Sequence, residues 1–358
     1  MTRVLALPKY GRLGASSRLR TLQYLPALEA AGLEVDVFPL LGDEYVSGLY
    51  RGRIPFLAVL RAYVARIARM LARTRYDVVW FEKELLPWLP GAIEASLTRA
   101  RSRVVVDYDD AVFHRYACNR SPLVRRLFGR KIDGVMRRAS LVLVGNEHLA
   151  QYARGAGAVG VEWLPTVVDL DRYAPREAAE PGAPVVLGWI GSPSTAPYLR
   201  GIADVVARLA QSHPLRCVAI GARPDQLEGT PFEALPWSEA TEAALLRTLD
   251  IGVMPLPDGP FERGKCGYKL IQYMACALPV VASPVGANRD IVEQGRNGFL
   301  ASGADEWRAA LHALVADPGL RRRFGEAGRR SVEQCYSLQV HAPRLARLLT
   351  GEHGGPAG

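Results

Sequence analysis

One stretch of the sequence, residues 262–300, constrains the fold more than any other. It contains a glycine- and cation-rich loop, a short helical pattern near 267–276, a buried strand at Pro279–Ser283 and a second helical pattern from about Asn288. Alternation of strands and helices is typical of a doubly wound parallel sheet. The stretch therefore predicts an α/β domain whose ligands bind at the carboxyl ends of the strands.

The loop before the first of these helices predicts an anion-binding site. Free N–H groups and the positive end of the helix dipole attract phosphate at a helix N-terminus. Arg263, Lys265 and Lys269 add positive charge around this terminus. Gly264 and Gly267 let the backbone approach a ligand closely, because they carry no Cβ. We expect a diphosphate to bind here.

The same stretch resembles the C-terminal signature of the retaining glycosyltransferases of family 4. The family carries two Glu residues ahead of a Met-Ala-x-Gly-x-Pro-Val-Val-Ala run, and residues 274–282 match this run except at its Gly. Alignment on the run places Gly264 and Gln272 at the two Glu positions. The resemblance implies that Gln272 binds a ribose hydroxyl, and that Glu262 makes the sugar contact that Gly264 cannot make.

The resemblance also implies the GT-B fold, in which two Rossmann-like domains face each other across a cleft. A chain of 358 residues is long enough for two such domains. We expect an acceptor-binding domain at 1–174, a linker at 175–184 and a donor-binding domain at 185–350, whose last helix crosses back to the first domain. Residues 351–358 are expected to form a disordered tail.

Further donor contacts are expected where the sequence matches the family. The first strand, Arg3–Leu7, is followed by a Gly-containing loop and a helix, and the loop faces the donor in the family. Arg18 is a cation just inside a helix start, which the helix dipole disfavours unless an anion lies there. The expected contacts outside the central stretch are Gly14, Ser16, Arg18, Gly191, Ser192, Ser194 and Trp237.

Carboxylates after a Val-rich strand are candidates for the acceptor side. Asp109 and Asp110 follow this strand where the family commonly has a His beside the reacting carbon. Asp107 and Asp109 also spell the Asp-x-Asp that GT-A enzymes use to hold Mn²⁺, but two doubly wound patterns in the chain favour metal-free GT-B chemistry. We expect no cofactor. The expected catalytic residues are Lys265, Arg263, Glu262, Asp109 and Asp110.

Positive charge is concentrated in the first half of the chain. Residues 1–176 hold 27 Lys and Arg against 17 Asp and Glu, whereas the remainder has a net charge of −1. Residues 54–74 predict an amphipathic helix on which Arg66, Arg69 and Arg73 lie within about 60° of one another. Such a helix either contacts an anionic membrane surface or packs with a solvated Arg face. No pattern favours nucleic acid.

The sequence also indicates where the protein works. It has no apolar run of about 18 residues, and its N-terminal apolar run is too short for a signal peptide. Its five cysteines are scattered, which fits a reducing compartment. We expect a cytoplasmic protein that is peripheral at the inner face of the membrane if residues 54–74 bind lipid. We expect ordinary thiols at all five positions, with Cys266 the one candidate for a pKa that nearby cations lower.

These patterns predict a retaining glycosyltransferase that moves a sugar from a nucleotide-diphosphate sugar to a hydroxyl of a glycan or lipid-linked acceptor. Two other interpretations stay open. The loss of both signature Glu residues, at Gly264 and Gln272, also fits a nucleotide-sugar-binding protein without activity. A nucleotide-sugar epimerase of the same fold would need carboxylates flanking the sugar and no basic acceptor face.

Overall fold

A computed structural model describes residues 1–52, 56–98, 102–177 and 182–351. These residues form two compact units. Unit 1 contains Met1–Thr166, the short segment Gly264–Cys266 and the described residues from His341 onward; unit 2 contains Val167–Arg263 and Gly267–Val340.

Three sequence-based expectations fall partly outside the described residues. They are the start of the helix expected at 54–74, part of the linker expected at 175–184 and all but the first residue of the tail expected at 351–358.

Unit 1 is built on a sheet of six parallel strands. Their bounds are β1 Thr2–Leu7, β2 Leu33–Val37, β3 Val78–Glu82, β4 Arg103–Tyr108, β5 Leu141–Val144 and β6 Val161–Trp163. Their order in the sheet is β2-β1-β3-β4-β5-β6. Successive side chains such as Val104, Val105 and Val106 are all buried, so both faces of the sheet are covered.

Nine α-helices connect or follow these strands in the described part of unit 1. They are α1 Ala15–Arg20, α2 Leu25–Ala30, α3 Asp43–Tyr50, α4 Phe56–Leu71, α5 Gly91–Thr98, α6 Phe113–Ala117, α7 Pro122–Phe128, α8 Lys131–Arg138 and α9 Glu147–Gly155. Single-turn 3₁₀ helices lie at Leu22–Tyr24 and Arg73–Arg75. The N-cap of α9 is Asn146, whose Oδ1 accepts from Leu149 N at 2.9 Å.

Unit 2 repeats the plan with a second sheet of six parallel strands. Their bounds are β7 Val185–Ile190, β8 Leu215–Ile220, β9 Glu233–Leu235, β10 Ile251–Met254, β11 Val280–Ala282 and β12 Gly298–Leu300. Their order in the sheet is β12-β11-β10-β7-β8-β9. Two hydrophobic clusters belong to this unit; Met274 lies in one and Trp307 in the other.

The remaining helices begin in unit 2. They are α10 Ala203–Ser212, α11 Glu242–Arg247, α12 Tyr268–Ala275, α13 Asn288–Ile291, α14 Ala304–Ala316, α15 Pro318–Cys335 and α16 Leu338–Thr350, with 3₁₀ helices at Ala196–Ile202, Pro224–Gln226 and Glu262–Gly264. Helix α16 continues into unit 1, where Arg344 pairs with Glu162 at 2.9 Å and Leu345 and Leu349 are fully buried.

The two doubly wound patterns predicted from the sequence are thus confirmed as two parallel sheets with helices. Each sheet has one topological switch point, where strand addition reverses direction. It lies between β1 and β3 in unit 1, and between β7 and β10 in unit 2. Ligands of open α/β sheets bind outside the carboxyl ends of the strands at such points.

The prediction of a basic face on α4 is wrong. Arg66 and Arg73 are buried, and Arg66 donates to Leu7 O, Pro8 O and Phe38 O at 2.9–3.2 Å. The guanidinium of Arg69 lies 3.6 Å from the centroid of the Phe38 ring. Arg66 faces the protein because its guanidinium donates to carbonyl oxygens at the ends of β1 and β2.

The exposed face of α4 is instead apolar. It presents Phe56, Leu57, Leu60 and Val64, which are 52–75% exposed. None of the helices in the described ranges has the length and low charge that a membrane span requires.

Candidate active site

A buried charged cluster lies at the carboxyl ends of β3 and β4 in unit 1. Its centre is Lys83, which directly follows β3 and is 7% exposed. Lys83 Nζ lies 2.7 Å from Asp109 Oδ1 and 3.5 Å from Asp110 Oδ2, and it donates to Ser16 Oγ at 3.1 Å. The structure thus brings three predicted site residues together around a lysine that no sequence motif marks.

The backbone of Lys83 adopts an uncommon conformation. Its φ of +60° lies in the left-handed region, which costs a residue with a side chain on the order of 1 kcal/mol. Hydrogen bonds hold it there: Tyr108 Oη donates to Lys83 O at 2.7 Å, and Lys83 N donates to Asp107 O at 2.9 Å. The turn directs the ammonium group onto the two carboxylates.

The two carboxylates of this cluster titrate in opposite directions. Burial disfavours ionisation of Asp109, but Lys83 and Arg20 outweigh it and hold its pKa below the ordinary value. Burial raises the pKa of Asp110, and attraction by Lys83 offsets this only in part. Asp109 is therefore a fixed anion, whereas Asp110, whose side chain is 28% exposed, is the one suited to exchange a proton with a ligand.

A third carboxylate, Glu82, lies beside the cluster at the switch point between β1 and β3. Its Oε2 accepts from Ser17 Oγ at 2.8 Å and from Lys9 N at 3.0 Å. Burial raises the pKa of Glu82 to about 7, because these hydrogen bonds and Lys83 only partly compensate for lost hydration. Glu82 thus joins the loop after β1 to the end of β3.

Asp107, the first member of the Asp-x-Asp sequence, takes no part in this cluster. Its two carboxylate oxygens accept from Arg20 Nε at 2.9 Å and Arg20 Nη2 at 3.0 Å, and both side chains are about 1% exposed. Arg20 also donates to Leu164 O at 2.8 Å. Within the described ranges no group of three or more His, Cys, Asp or Glu residues is arranged to hold a metal ion.

The other predicted residues of the β1–α1 loop are structural neighbours of this site. Gly14 is the N-cap of α1, and a Cβ there would lie 2.3 Å from Tyr10 Cβ. Arg18 is 5% exposed and its Nη1 donates to Arg12 O at 3.1 Å.

In unit 2, several predicted donor contacts meet after β7. A Cβ at Gly191 would lie 2.7 Å from Lys269 Cε, so the lysine runs directly past this glycine. Lys269 Nζ lies 5.1 Å from the centroid of the buried Trp189 ring. The hydroxyls of Ser192 and Ser194 lie 2.8 Å apart in the same loop. A cation and hydroxyl groups beside an open backbone are suited to bind phosphate.

The helix that carries Lys269 begins at a glycine that the geometry requires. Gly267 has a φ of +66° and precedes α12, and a Cβ there would lie 2.3 Å from Ile291 Cδ1. A side chain would meet both backbone strain and a clash. Gly267 therefore fixes where α12 starts.

Gln272 and Trp237 belong to one buried polar network. Gln272, 2% exposed, donates from Nε2 to Tyr173 Oη at 3.1 Å. Tyr173 in turn donates to Glu242, whose other oxygen accepts from Trp237 Nε1 at 2.6 Å. Burial raises the pKa of Tyr173 well above its ordinary value, so it stays a neutral donor. The network links two predicted donor contacts.

Glu262 and Arg263 each have a partner on unit 2. Glu262 Oε1 accepts from Tyr198 Oη at 2.6 Å. Arg263 pairs with Asp258 through two hydrogen bonds of 2.7 and 3.1 Å, and both side chains are about half exposed. Asp258 neutralises part of the positive charge of Arg263.

The segment Gly264–Cys266 belongs to unit 1 and lies against the end of β4. Asn146 Nδ2 donates to Lys265 O at 2.9 Å, and a Cβ at Gly264 would lie 2.4 Å from Ala111 Cβ. The positive charge of Lys265 lowers the pKa of Asp110. Two predicted catalytic residues, Lys265 and Asp110, are therefore near each other, whereas Glu262 and Arg263 belong to unit 2.

The expectation of a lowered pKa at Cys266 is wrong. Burial raises the pKa of this thiol, and repulsion by Asp109 adds to the effect. Its Sγ donates to Asp109 O at 3.1 Å. Cys266 therefore packs and donates as a neutral thiol.

Lys83, Lys9 and Glu82 are the site residues that the sequence patterns missed. The available signal was the position of Lys83 in the chain. Lys83 directly follows β3, and side chains at this point of a parallel sheet lie near those that follow adjacent strands.

The sequence of unit 2 decides the family. Residues 184–317 match the family described as glycosyl transferases group 1. The chain contains a group 1 glycosyltransferase domain. The predicted resemblance to glycosyltransferases is thereby confirmed, and the enzyme class with it.

A curated relative of this glycosyltransferase matches along most of its length. It is the D-inositol 3-phosphate glycosyltransferase of Corynebacterium jeikeium, which is 25% identical over 92% of this chain and 90% of its own. A relative of the same name from Rhodococcus erythropolis is 29% identical, and the match spans about half of each protein, 56% and 47%.

Solved structures confirm the predicted GT-B fold of the glycosyltransferase. The sucrose-phosphate synthase of Thermosynechococcus elongatus matches with a TM-score of 0.73 and 17% identity, over 98% of this chain and 99% of that one. Anabaena HepE in complex with UDP and glucose matches with a TM-score of 0.72 and 17% identity, over 98% and 100%.

Proposed function

We propose that this protein is a retaining glycosyltransferase that moves a sugar from a nucleotide-diphosphate sugar to a hydroxyl of a glycan or lipid-linked acceptor. The observation that carries the proposal lies within the group 1 domain: Lys269 runs past Gly191 beside the hydroxyls of Ser192 and Ser194, at the start of α12. Cation, hydroxyls and helix N-terminus together favour a diphosphate. The comparison with HepE, whose structure holds UDP and glucose, supports this class of donor.

Transfer of a sugar requires stabilisation of the departing diphosphate. Positive groups aimed at the developing charge supply it. We assign this role to Lys265, Lys269 and Arg263, the last of which also pairs with Asp258. Lys269 was expected as a donor contact; its place beside Gly191 supports the added role.

The remaining donor contacts follow from position. We assign Gln272 and Trp237 to the nucleoside, since one network orients both side chains. Glu262, oriented by Tyr198, is assigned to the transferred sugar, and Gly14, Ser16, Arg18, Gly264 and Gly267 shape the loops around the donor.

The acceptor hydroxyl is assigned to the cluster around Lys83. Asp110 combines exposure with a raised pKa, so it is suited to accept the proton that the hydroxyl loses. Asp109 remains ionised and orients Lys83. We propose that the reaction needs no metal, because lysines supply the charge that Mn²⁺ supplies elsewhere; EDTA should leave turnover unchanged.

Loss of Lys265 tests the proposal. Lys265→Ala should lower turnover by a factor of about 100 or more, because one charged donor to a leaving group is worth about 2.7–4 kcal/mol. The assay combines UDP-, GDP- and ADP-sugars with candidate acceptors and measures release of nucleotide. Arg322→Ala, which removes an exposed cation from α15, is the control and should keep full activity. A Lys265→Ala enzyme with the parent rate would contradict the assignment, and isomerised donor would indicate an epimerase.

The proposed location is the cytoplasmic face of a membrane. All five cysteines are free thiols, which fits a reducing compartment. The apolar face of α4 replaces the arginines as the proposed lipid contact. We expect this face of α4 to contact an anionic lipid surface, because the first half of the chain is strongly basic and exposed Arg61 lies on the same helix.

A further inference from the structure

One buried lysine of unit 1 forms no ion pair in the part of the chain that the structure describes. Lys9 is 8% exposed, and its backbone N donates to Glu82 Oε2. Its Nζ lies over the Tyr10 ring, 5.4 Å from the centroid, and makes no ion pair or hydrogen bond with a described residue. Burying an ammonium group without an anion is costly, so a lysine kept in this position indicates an external partner.

A second unpaired cation lies nearby on α6. Arg115 is exposed, and no described residue pairs with its guanidinium. Its neighbour Tyr116 donates to both oxygens of Glu84, at 2.9 and 3.1 Å, which fixes α6 to the loop after β3. Lys9 is joined to the same loop through Glu82. The two cations therefore flank the end of β3.

The electrostatics agree with this placement. Burial lowers the pKa of Lys9 to about 8, and repulsion by Arg115 and Lys83 adds to the effect. Attraction by Glu84 and Glu82 is too weak to restore the ordinary value. Positive potential thus exceeds negative potential at Lys9 Nζ, as an anion site requires.

The position of Lys9 is that of a ligand-binding residue. It follows β1 at the switch point of the first sheet, and Glu82 and Lys83 follow β3 on the other side of that point. Lys83 in turn holds Asp109 and Asp110. A group bound by Lys9 would belong to the same molecule that meets these carboxylates.

We propose that Lys9 and Arg115 bind a phosphate group of the acceptor. The proposal rests on the assignment of the acceptor to the Lys83 cluster and adds the substrate class: an alcohol that also carries a phosphate. The phosphate belongs either to a soluble phosphate ester or to the headgroup of a lipid. Charge-assisted hydrogen bonds from a lysine and an arginine are the usual means of binding it.

Sulfate binding tests the site without any reaction, so failure of the proposed transferase activity would not affect the result. Titration calorimetry at constant ionic strength should give a sulfate affinity that falls about tenfold or more in Lys9→Met and Arg115→Gln, since a hydrogen bond to a charged group contributes about 1.5–3 kcal/mol. Arg322→Gln, which removes an exposed arginine of α15, should bind as the parent does.

The pH dependence of sulfate binding identifies Lys9. Sulfate keeps its charge, and Lys9 loses its own as the pH rises through about 8, so affinity should fall between pH 7.5 and 9.5. Glu82, with a pKa of about 7, titrates mainly below this window, and Lys83, whose pKa is raised by its carboxylate partners, stays charged within it. The fall should be absent in Lys9→Met and present in Arg322→Gln.

Two competitors identify the source of the phosphate. Glycerol 3-phosphate, but not glycerol, should displace sulfate if the acceptor is soluble; phosphatidylglycerol vesicles, but not phosphatidylcholine vesicles, should do so if it is a lipid. Lys9→Arg, which keeps the charge, should restore part of the affinity. Unfolding of each variant in urea checks the fold. Equal sulfate affinity in a folded Lys9→Met protein, or displacement by neither competitor, overturns the proposal.

Discussion

Three lysines are buried in the described part of unit 1, and they differ in what neutralises them. Lys131 lies between Glu84 and Glu94, at 2.7 and 2.9 Å. Lys83 lies between Asp109 and Asp110, and Lys9 has neither. A buried charge is stable in its ionised form only with a partner. Lys131 is therefore a structural lysine, Lys83 is a lysine of the candidate site, and Lys9 is the lysine for which we propose an external ligand.

Glu82 provides a test at the residue scale. Its pKa is about 7 in the fold and about 4.3 in the unfolded chain, so the fold binds a proton that the unfolded chain has lost between these values. Stability should therefore fall as pH rises through this window, by about 3 kcal/mol at most. Glu82→Gln should flatten this slope in urea unfolding at pH 4.5, 6 and 7.5. Equal slopes in the two proteins would contradict a raised pKa.

Lys83 provides a second test. Lys83→Met should destabilise the fold by about 3–5 kcal/mol near pH 7, because Asp109 and Asp110 lose their cation. Asp109 has a lowered pKa in the fold, so its contribution to stability is present above pH 4 and disappears as the pH falls through its pKa in the folded protein. The difference between variant and parent should shrink accordingly in acid. Lys83→Met with Asp109→Asn and Asp110→Asn is the control and should recover much of the stability.

Sequence patterns located some of these residues and missed others for a physical reason. Asp109 and Asp110 are visible because carboxylates after a Val-rich strand stand at the carboxyl end of a sheet. Lys83 is not visible, because its role depends on a left-handed φ and on hydrogen bonds from β4, which lies beside β3 only in the fold.

Helix α4 shows the same limit at the scale of an element. Its 3.6-residue period placed Arg66 and Arg69 on one side correctly, but periodicity does not say which side is buried. Arg66 donates to three carbonyl oxygens at the ends of β1 and β2. The apolar side of α4 therefore faces outward, because Arg66 and Arg69 lie on the side that faces the protein.

The exposed apolar side of α4 predicts a lipid contact that substitution should abolish. Leu57→Glu with Leu60→Glu should reduce co-sedimentation with anionic vesicles at least tenfold, since each burial of a leucine contributes about 1.5–3 kcal/mol. The matched control is Val159→Glu, which adds a charge at a residue that is 87% exposed elsewhere in unit 1. Co-sedimentation equal to that of the parent would remove α4 from the membrane proposal.

At the scale of the whole molecule, the repeated strand–helix pattern was sufficient to predict two parallel sheets, because central strands such as β4 and β5 contain continuous apolar runs. It was not sufficient to assign every residue to a unit. Gly264–Cys266 adjoins the start of α12 in sequence yet belongs to unit 1. This assignment depends on packing at Ala111 and Asn146, which are more than 100 residues away in the chain.

The whole protein should be stabilised by its donor. A ligand at 100 times its dissociation constant adds about 2.7 kcal/mol to the free energy of unfolding. In a thermal-unfolding screen of UDP-, GDP- and ADP-sugars, the sugars of one of these nucleotides should therefore raise the melting temperature by several degrees. Lys269→Ala should reduce that rise. Arg322→Ala should not. A screen in which no nucleotide sugar raises the melting temperature of the parent protein would count against a donor site after β7.

Helix α16 has a consequence for how the protein is made. Leu345 and Leu349 are fully buried in unit 1, whose strands all lie before residue 167. A ribosome therefore releases the complete set of strands for this unit long before it releases the helix that covers them. In the interval unit 1 lacks the helix that buries this apolar surface, and unit 2, which ends at Val340, has all its residues before unit 1 does.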